Sequence, residues 1–492
     1  MGQSLGSRTG SALFWKGVQL GVTKLVYIAR LLILARLLSP DDFGLFAIAA
    51  VVLGVLLTLS DLGITPALIH KDHVGRRDYV AGWSMEIVRA LTISGILFAS
   101  APMIADIFGE PRSTNIIRAL ALRPLFAALA STQLAQLNRN LDFRTIAFLK
   151  VPAAVLDLAV AVSLAETLGV WAMVIGVLFG EALTVILAFT MKPWRPGFSL
   201  NLQDIRPLLN YGRWILLTGM VALAGGTVLQ AVIARQLGAA ELGMFYLALQ
   251  LANLPSEVTD QVVNPVAFPL YSRLRTSQQR LLRAFRSIFV GMSAVLLPSY
   301  ALLLALAPSL TTNILGENWA GTAPVIQVLA LAAIVSILSD AVAPLLNGVG
   351  QPHKVTVLES VQSAMVIIFV WYLAPTFGVV GAAGALLPAM LVSQVISGLF
   401  LGRIIDKPSK HLLGPLLAVA SAAVVGALIA SALDRIGAGI VGFIFAAVAG
   451  IAVILSLLWF FDRRFQFGIR DDILRAFPQL RALLPSTGGS GL

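Results

Sequence analysis

The chain has 492 residues, 58% hydrophobic and only 12% charged, and a formal net charge of +11. Soluble domains carry about a quarter charged residues, so half that fraction, with a mean hydropathy of +0.89, implies lipid as the main solvent. The absence of cysteine excludes disulfides and thiolate metal sites. The basic excess lacks the aromatic interleaving of a nucleic-acid surface, so no nucleic-acid partner is expected.

In chain order, a polar start (MGQSLGSRTG) without a cleavage pattern reads as retained rather than as a signal peptide. Apolar runs then predict fourteen spans: 11–38, 42–69, 79–101, 114–137, 144–165, 168–190, 208–234, 241–268, 284–307, 320–346, 355–375, 378–402, 412–432 and 438–461. Each is near the roughly twenty residues a helix needs to cross the hydrocarbon. A helix closes its backbone bonds within one segment, whereas a barrel needs short alternating strands. The expected fold is therefore an all-α polytopic membrane protein.

The loops support this order. Even-numbered connections are basic, with Lys71, Arg76 and Arg77, then Arg139 and Arg144, then Lys192, Arg195 and Arg206, and so on to Arg403, Lys407 and Lys410. Odd ones carry mainly acids, such as Asp41, Asp42, Asp106, Glu110, Glu166 and Glu241. By the positive-inside rule both termini are expected in the cytoplasm.

The chain also aligns with itself. An offset of 199 lays ARLLSPDDFGLFAIA, from Ala35, on ARQLGAAELGMFYLA, from Ala234, and Asp61 and Pro66 on Asp260 and Pro265. Further on, an offset of 209 lays LNRNLDF, from Leu137, on LNGVGQP, from Leu346, and LGVWAMVIG, from Leu168, on FGVVGAAGA, from Phe377. Six helices per repeat preserve orientation, so the halves are parallel repeats. The expected organisation is an N-terminal six-helix lobe at 1–195, a C-terminal six-helix lobe at 208–403, an appended helix pair at 412–461 and a cytoplasmic tail at 462–492. Two such lobes would enclose a central cavity.

Ionisable groups at membrane depth are costly and face the protein interior or a wet cavity. The first half carries Lys24, Arg30, Arg89, Arg118 and Arg123, and the matching second-half spans have almost none. Arg118 and Arg123 are about 140° apart around a helix, so any cationic pocket must draw on several helices. Such a pocket would offset the charge of an anionic substrate. The bland alternatives are that Arg118 snorkels to the interface and Arg89 pairs with Glu86. Acids at depth are Asp61, Asp157, Glu181, Glu257, Asp260, Asp340 and Glu359. Asp61 and Asp260, being repeat mates, read as coupling sites or as structural groups beside Pro66 and Pro265. Asp157 and Glu181 are candidates to pair with the first-half bases.

No GxxxxGK[ST] loop is present, and His70, His73, His353 and His411 have no ligand-like spacing. No cofactor, metal or enzymatic activity is expected.

ARLLSPDDFGLFAIA followed by LSDLGITPALI resembles the start of lipid-linked oligosaccharide flippases. These form the polysaccharide transporter branch of the multidrug/oligosaccharidyl-lipid/polysaccharide exporter superfamily. LNRNLDF, YLALQLANLPSEVTDQVVNPVAFPLYSRL and ILGENWAGTAPVIQVLAL extend the resemblance over about residues 10 to 405, with colanic-acid-like exporters the nearest type. The resemblance implies alternating access by two lobes in the bacterial inner membrane. The implied cargo is an undecaprenyl-diphosphate-linked oligosaccharide moved between leaflets for exopolysaccharide synthesis. It also implies H+ or Na+ as a coupling ion, membrane lipids as surroundings and polysaccharide polymerase machinery as a partner. The site residues are read from depth and charge alone. The alternative is an ion-coupled exporter of organic cations from the same superfamily, which would favour intramembrane acids over bases. A polymerase or ligase would need a large external loop that the sequence lacks.

Overall fold

The computed structural model describes residues 5–59, 75–192, 197–199, 223–405, 409–437, 439–465, 468 and 471. Among them the chain is helical with no strand. The helices are α1 (Leu5–Leu37), α2 (Pro40–Leu59), α3 (Arg76–Phe108), α4 (Thr114–Leu120), α5 (Arg123–Leu129), α6 (Ser131–Arg139), α7 (Phe143–Leu168) and α8 (Val170–Met191). They continue with α9 (223–237), α10 (Ala239–Leu274), α11 (Gln278–Ser309), α12 (Thr322–Gly348), α13 (Pro352–Gly384), α14 (Leu386–Ile404), α15 (Ser409–Ile436) and α16 (Gly439–Phe465).

Eleven helical segments among the described residues are long and apolar enough to cross a membrane. They match eleven of the fourteen predicted spans, so the multi-pass class stands and the count of fourteen is not confirmed. The exceptions have physical causes. Predicted span 114–137 is divided among α4, α5 and α6, with Pro124 in the first turn of α5. Ala121, Leu122 and Ala130 at the joins keep right-handed helical dihedrals, so the path continues while the hydrogen-bond ladder is interrupted. Predicted span 241–268 lies within the 36-residue α10, whose Glu241, Glu257, Asp260 and three prolines lower its apolar character. Much of predicted span 208–234, and Asp61, Pro66 and Lys71, lie outside the described residues.

Local sequence sets several helix ends. Ser39 and Asp42 form a capping box before α2: the Ser39 N–H donates to Asp42 Oδ2 at 3.1 Å and the Asp42 N–H to Ser39 Oγ at 3.2 Å. Pro40 begins that helix, where its missing N–H costs nothing. Asp142 caps α7 by accepting from the Thr145 N–H at 3.2 Å.

The chain forms two compact units, Met1–Tyr246 and Leu247–Leu492. In the first, contacts between connections sort the loops onto two faces. Arg112, after α3, donates to Asp41, in the first turn of α2, at 2.8 Å. Asp42 accepts from the Val170 N–H between α7 and α8 at 3.0 Å, and Arg235 donates to the Asp106 and Ile107 carbonyls at 3.1 Å. Four odd-numbered connections thus share one face. Asp142 and Lys192, from two even-numbered ones, are 3.6 Å apart. This is the alternation an up-and-down bundle requires. Asp41 and Glu110 also account for Arg112, a basic residue on this mainly acidic face: it is ion-paired to both.

The sequence repeat recurs in backbone detail. Leu141 and Gly350, mates at the offset of 209, both have positive φ, 55° and 82°. The Asp142 N–H bonds the Leu137 carbonyl at 2.9 Å, and the Gln351 N–H bonds the Leu346 carbonyl at 2.8 Å. Gly169 and Gly378, also mates, sit at φ 55° and 61°. In the first unit Gly44 and Gly243, mates at 199, mark a close helix crossing. A Cβ on Gly44 would lie 1.8 Å from the Ala239 carbonyl oxygen, and one on Gly243 would lie 1.8 Å from the Pro40 carbonyl oxygen. Only glycine lets α2 and α10 meet so closely.

The second unit has its core where α10, α11 and α12 pack around Tyr271, Phe285, Phe289 and Tyr300. The appended pair α15 and α16 belongs to this unit and packs on α11 through Val290, Ala294, Val419, Ala422 and Ile454. Ser309, ending α11, donates to Asp434 of α15.

Candidate functional site

In the first unit the predicted charges occupy six helices. Lys24 and Arg30 are on α1, Arg89 on α3, Arg118 on α4 and Arg123 on α5, while Asp157 is on α7 and Glu181 on α8. Their assembly depends on how closely α8 approaches α7. Gly176 and Gly180 form a small-residue stripe on α8, and a Cβ on Gly176 would lie 2.6 Å from Asp157 Oδ1. A Cβ on Gly180 would lie 3.0 Å from the Ala153 carbonyl oxygen. The glycines admit the Asp157 side chain between the helices.

Asp157 then meets Arg30. Arg30 Nε donates to Asp157 Oδ1 at 3.0 Å, and Arg30 Nη2 donates to the Met173 carbonyl oxygen at 3.1 Å. Arg30 is 8% exposed, so this is an ion pair withdrawn from solvent, held by a second hydrogen bond. A parallel pair lies nearby: Arg123 Nε donates to Glu181 Oε1 at 3.2 Å, and both of these charges act on Asp157. Arg30, Asp157, Glu181 and Arg123 thus form one electrostatic network spanning α1, α7, α8 and α5.

The remaining predicted bases stand differently. Arg89 grips Glu86, one turn earlier on α3, with Nη2 and Nε at 2.6 and 3.0 Å from the same oxygen. Arg118 lies over the exposed ring of Phe98 at 5.2 Å and makes no ion pair among the described residues. Lys24 Nζ lies 4.9 Å from the Tyr27 ring. The sequence expectation was a pocket of bases; the structure gives Arg30, Arg89 and Arg123 each a carboxylate. In sequence the five bases outnumber Asp61, Glu86, Asp157 and Glu181 by one. The Met173 carbonyl and the Gly176–Gly180 stripe were not singled out from sequence, although GVLFG at 176–180 carries that signal.

The second unit holds the acidic counterpart. Asp260, Asn264 and Phe268 of α10 and Asp340, Ala343, Pro344 and Asn347 of α12 line a cavity of about 340 Å³. Asn264 Nδ2 donates to Asp260 Oδ1 at 3.3 Å, and Ser336 Oγ to Asp340 Oδ2 at 2.9 Å. Pro344 and Pro265 lie inside their helices and leave the local ladder incomplete. Asn264 and Asn347 were not anticipated. Among the described residues no cluster of three or more His, Asp or Glu could hold a metal ion. Two carboxylates with two amides suit a proton or a monovalent cation better than a transition metal.

Comparisons with known proteins agree with this architecture. A family model described as "Polysaccharide biosynthesis protein" matches residues 33–324. The lipopolysaccharide biosynthesis protein WzxC of Escherichia coli K12 is 22% identical over 349 residues, 70% of each chain. The succinoglycan biosynthesis transport protein ExoT of Rhizobium meliloti is 25% identical over 320 residues, 65% of each. The teichuronic acid biosynthesis protein TuaB of Bacillus subtilis is 25% identical over 285 residues, covering 57% of this chain and 59% of its own. Among solved structures, the lipid II flippase MurJ in an inward closed conformation superposes with a TM-score of 0.73 at 14% identity, over 92% of this chain and 99% of that one. An inward-facing multidrug resistance MATE family transporter of the MOP superfamily gives 0.62 at 14% identity, over 79% and 96%.

Proposed function

The chain belongs to the polysaccharide biosynthesis protein family, and on that premise we propose that it is a flippase for undecaprenyl-diphosphate-linked oligosaccharide repeat units in the bacterial inner membrane. The observation that carries this reading is the network in which the buried Arg30 pairs with Asp157 and the more exposed Arg123 pairs with Glu181. A guanidinium offers paired donors that fit phosphate oxygens as well as carboxylate. In the resting protein the carboxylates hold the bases in place and hide their charge. An arriving diphosphate competes for the same donors, and its departure returns them to Asp157 and Glu181. Exchange of this kind keeps binding reversible, which a carrier needs.

The acidic cavity of Asp260 and Asp340 supports coupling to H+ or Na+, by the same logic that gives intramembrane acids to proton and ion pathways. Handover to polysaccharide polymerase machinery follows from the cargo. The same acids also favour a second reading, export of organic cations, for which the MATE-like fold gives precedent. The two separate in proteoliposomes. A flippase moves labelled undecaprenyl-diphosphate oligosaccharide between leaflets at least tenfold faster than protein-free vesicles. Failure on several such lipids, together with gradient-driven efflux of organic cations, would overturn the flippase assignment.

A further inference from the structure

The first half of α1 and the N-terminal end of α7 carry a second cationic feature, separate from the Arg30–Asp157 network. Arg144 lies against two aromatic rings, its guanidinium carbon 5.6 Å from the Trp15 ring centre and 5.9 Å from that of Phe148. The two rings are themselves 6.0 Å apart. Beside them Lys16 Nζ sits 5.3 Å over the Phe143 ring. Among the described residues Lys16 makes one long hydrogen bond, 3.5 Å to Gln19 Oε1. Asp142, the nearest acid in sequence, is occupied with Thr145 and Lys192. Neither Arg144 nor Lys16 has a carboxylate partner among the described residues.

Position completes the picture. Contacts between α1 and α7 run from Trp15 with Phe148 to Arg30 with Asp157, so the two helices point the same way and begin at the same membrane face. Phe14 and Phe148 are 64% and 48% exposed, which places apolar rings on the lipid side of this face. Aromatic rings with snorkelling bases are the composition of the bilayer's headgroup layer. A guanidinium held against aromatic rings by its charge keeps its fork of N–H donors available, the group that grips phosphate oxygens.

We propose that Trp15, Lys16, Phe143, Arg144 and Phe148 form a docking site for the phosphate of an anionic phospholipid of the surrounding leaflet. The rings fix Arg144 in advance, the acyl chains lie along Phe14 and Phe148, and Lys16 supplies the second positive charge. The site anchors the start of α1, the helix that carries Lys24 and Arg30. It does not depend on what the transporter carries.

The test uses the full-length protein in neutral detergent, titrated with phosphatidylglycerol, phosphatidylcholine or inorganic phosphate and read by native mass spectrometry. Wild type is expected to retain phosphatidylglycerol in preference to phosphatidylcholine, and inorganic phosphate not to displace it. Arg144→Gln should lower retention about fivefold, the weight of one basic residue at an anionic surface. Arg144→Lys should fall between the two, because it keeps the charge without the planar fork of donors. Arg463→Gln, which removes a base stacked on Trp459 alone, should leave retention near wild type. Equal losses in Arg144→Gln and Arg463→Gln would reduce the effect to general surface charge and overturn the proposal. So would unchanged retention in Arg144→Gln, or displacement of the lipid by inorganic phosphate.

Discussion

Leu141 shows how much one residue can reveal. A leucine with φ of 55° is strained, and its repeat mate relieves the same strain with glycine at φ 82°. Both turns close with the same backbone hydrogen bonds, so the two positions differ mainly in side chain. Leu141→Gly is therefore expected to leave the melting temperature unchanged or raise it, since relief of about 1 kcal/mol offsets the entropy of the added glycine. Gly350→Leu should instead cost about 1–2 kcal/mol. Equal destabilisation by both would mean that the turns are not equivalent. The charged residues were legible from sequence as a set, with Asp157 and Glu181 as candidate partners of the bases, but not which base each would take. Arg30 and Asp157 are far apart in the chain, and nothing in either local pattern specifies the partner. Glu86 and Arg89, one turn apart, could be paired by helical spacing alone.

At the scale of elements, the apolar runs located helices wherever lipid surrounds them. They gave less where the helix carries function. Pro124 interrupts the predicted span 114–137 and leaves Arg123 at a break in the ladder. Glu257, Asp260 and three prolines keep α10, read as a span from sequence, outside the eleven segments apolar enough to cross. The two departures have different causes: a broken ladder in 114–137 and polar side chains in α10. Packing is the second element-scale device. Gly176 and Gly180 decide whether α8 can close over Asp157, so Gly176→Leu is predicted to separate α7 and α8 and break the Arg30–Asp157 bond. The expected penalty is about 1–3 kcal/mol from overpacking, with reduced transport. Gly54→Leu is the control, because its Cβ would meet nothing within 4 Å. A thermal-shift comparison in detergent checks the pair, and equal melting temperatures would contradict the account.

For the whole molecule, the repeat supplies two copies of one helical scaffold and the charges make them chemically unequal. Bases collect in the first unit, and the second holds the Asp260–Asp340 cavity. A cation-coupled carrier of an anionic cargo needs that division. Transport in proteoliposomes is expected to rise with an imposed H+ or Na+ gradient, and Asp340→Asn should abolish the dependence on the gradient. A variant that still responds would place coupling elsewhere. The central claim is that Arg30 and Asp157 hold a site for an anionic headgroup. Removing Arg30 alone strands a buried carboxylate at a cost of about 3–5 kcal/mol, so its loss of activity would prove little. The double variant Arg30→Met with Asp157→Leu removes both charges and should fold with near wild-type stability. The most direct measurement is its rate of undecaprenyl-diphosphate oligosaccharide translocation in proteoliposomes. At wild-type melting temperature the account predicts at least a tenfold loss. Translocation at the wild-type rate would show that the pair only holds helices together.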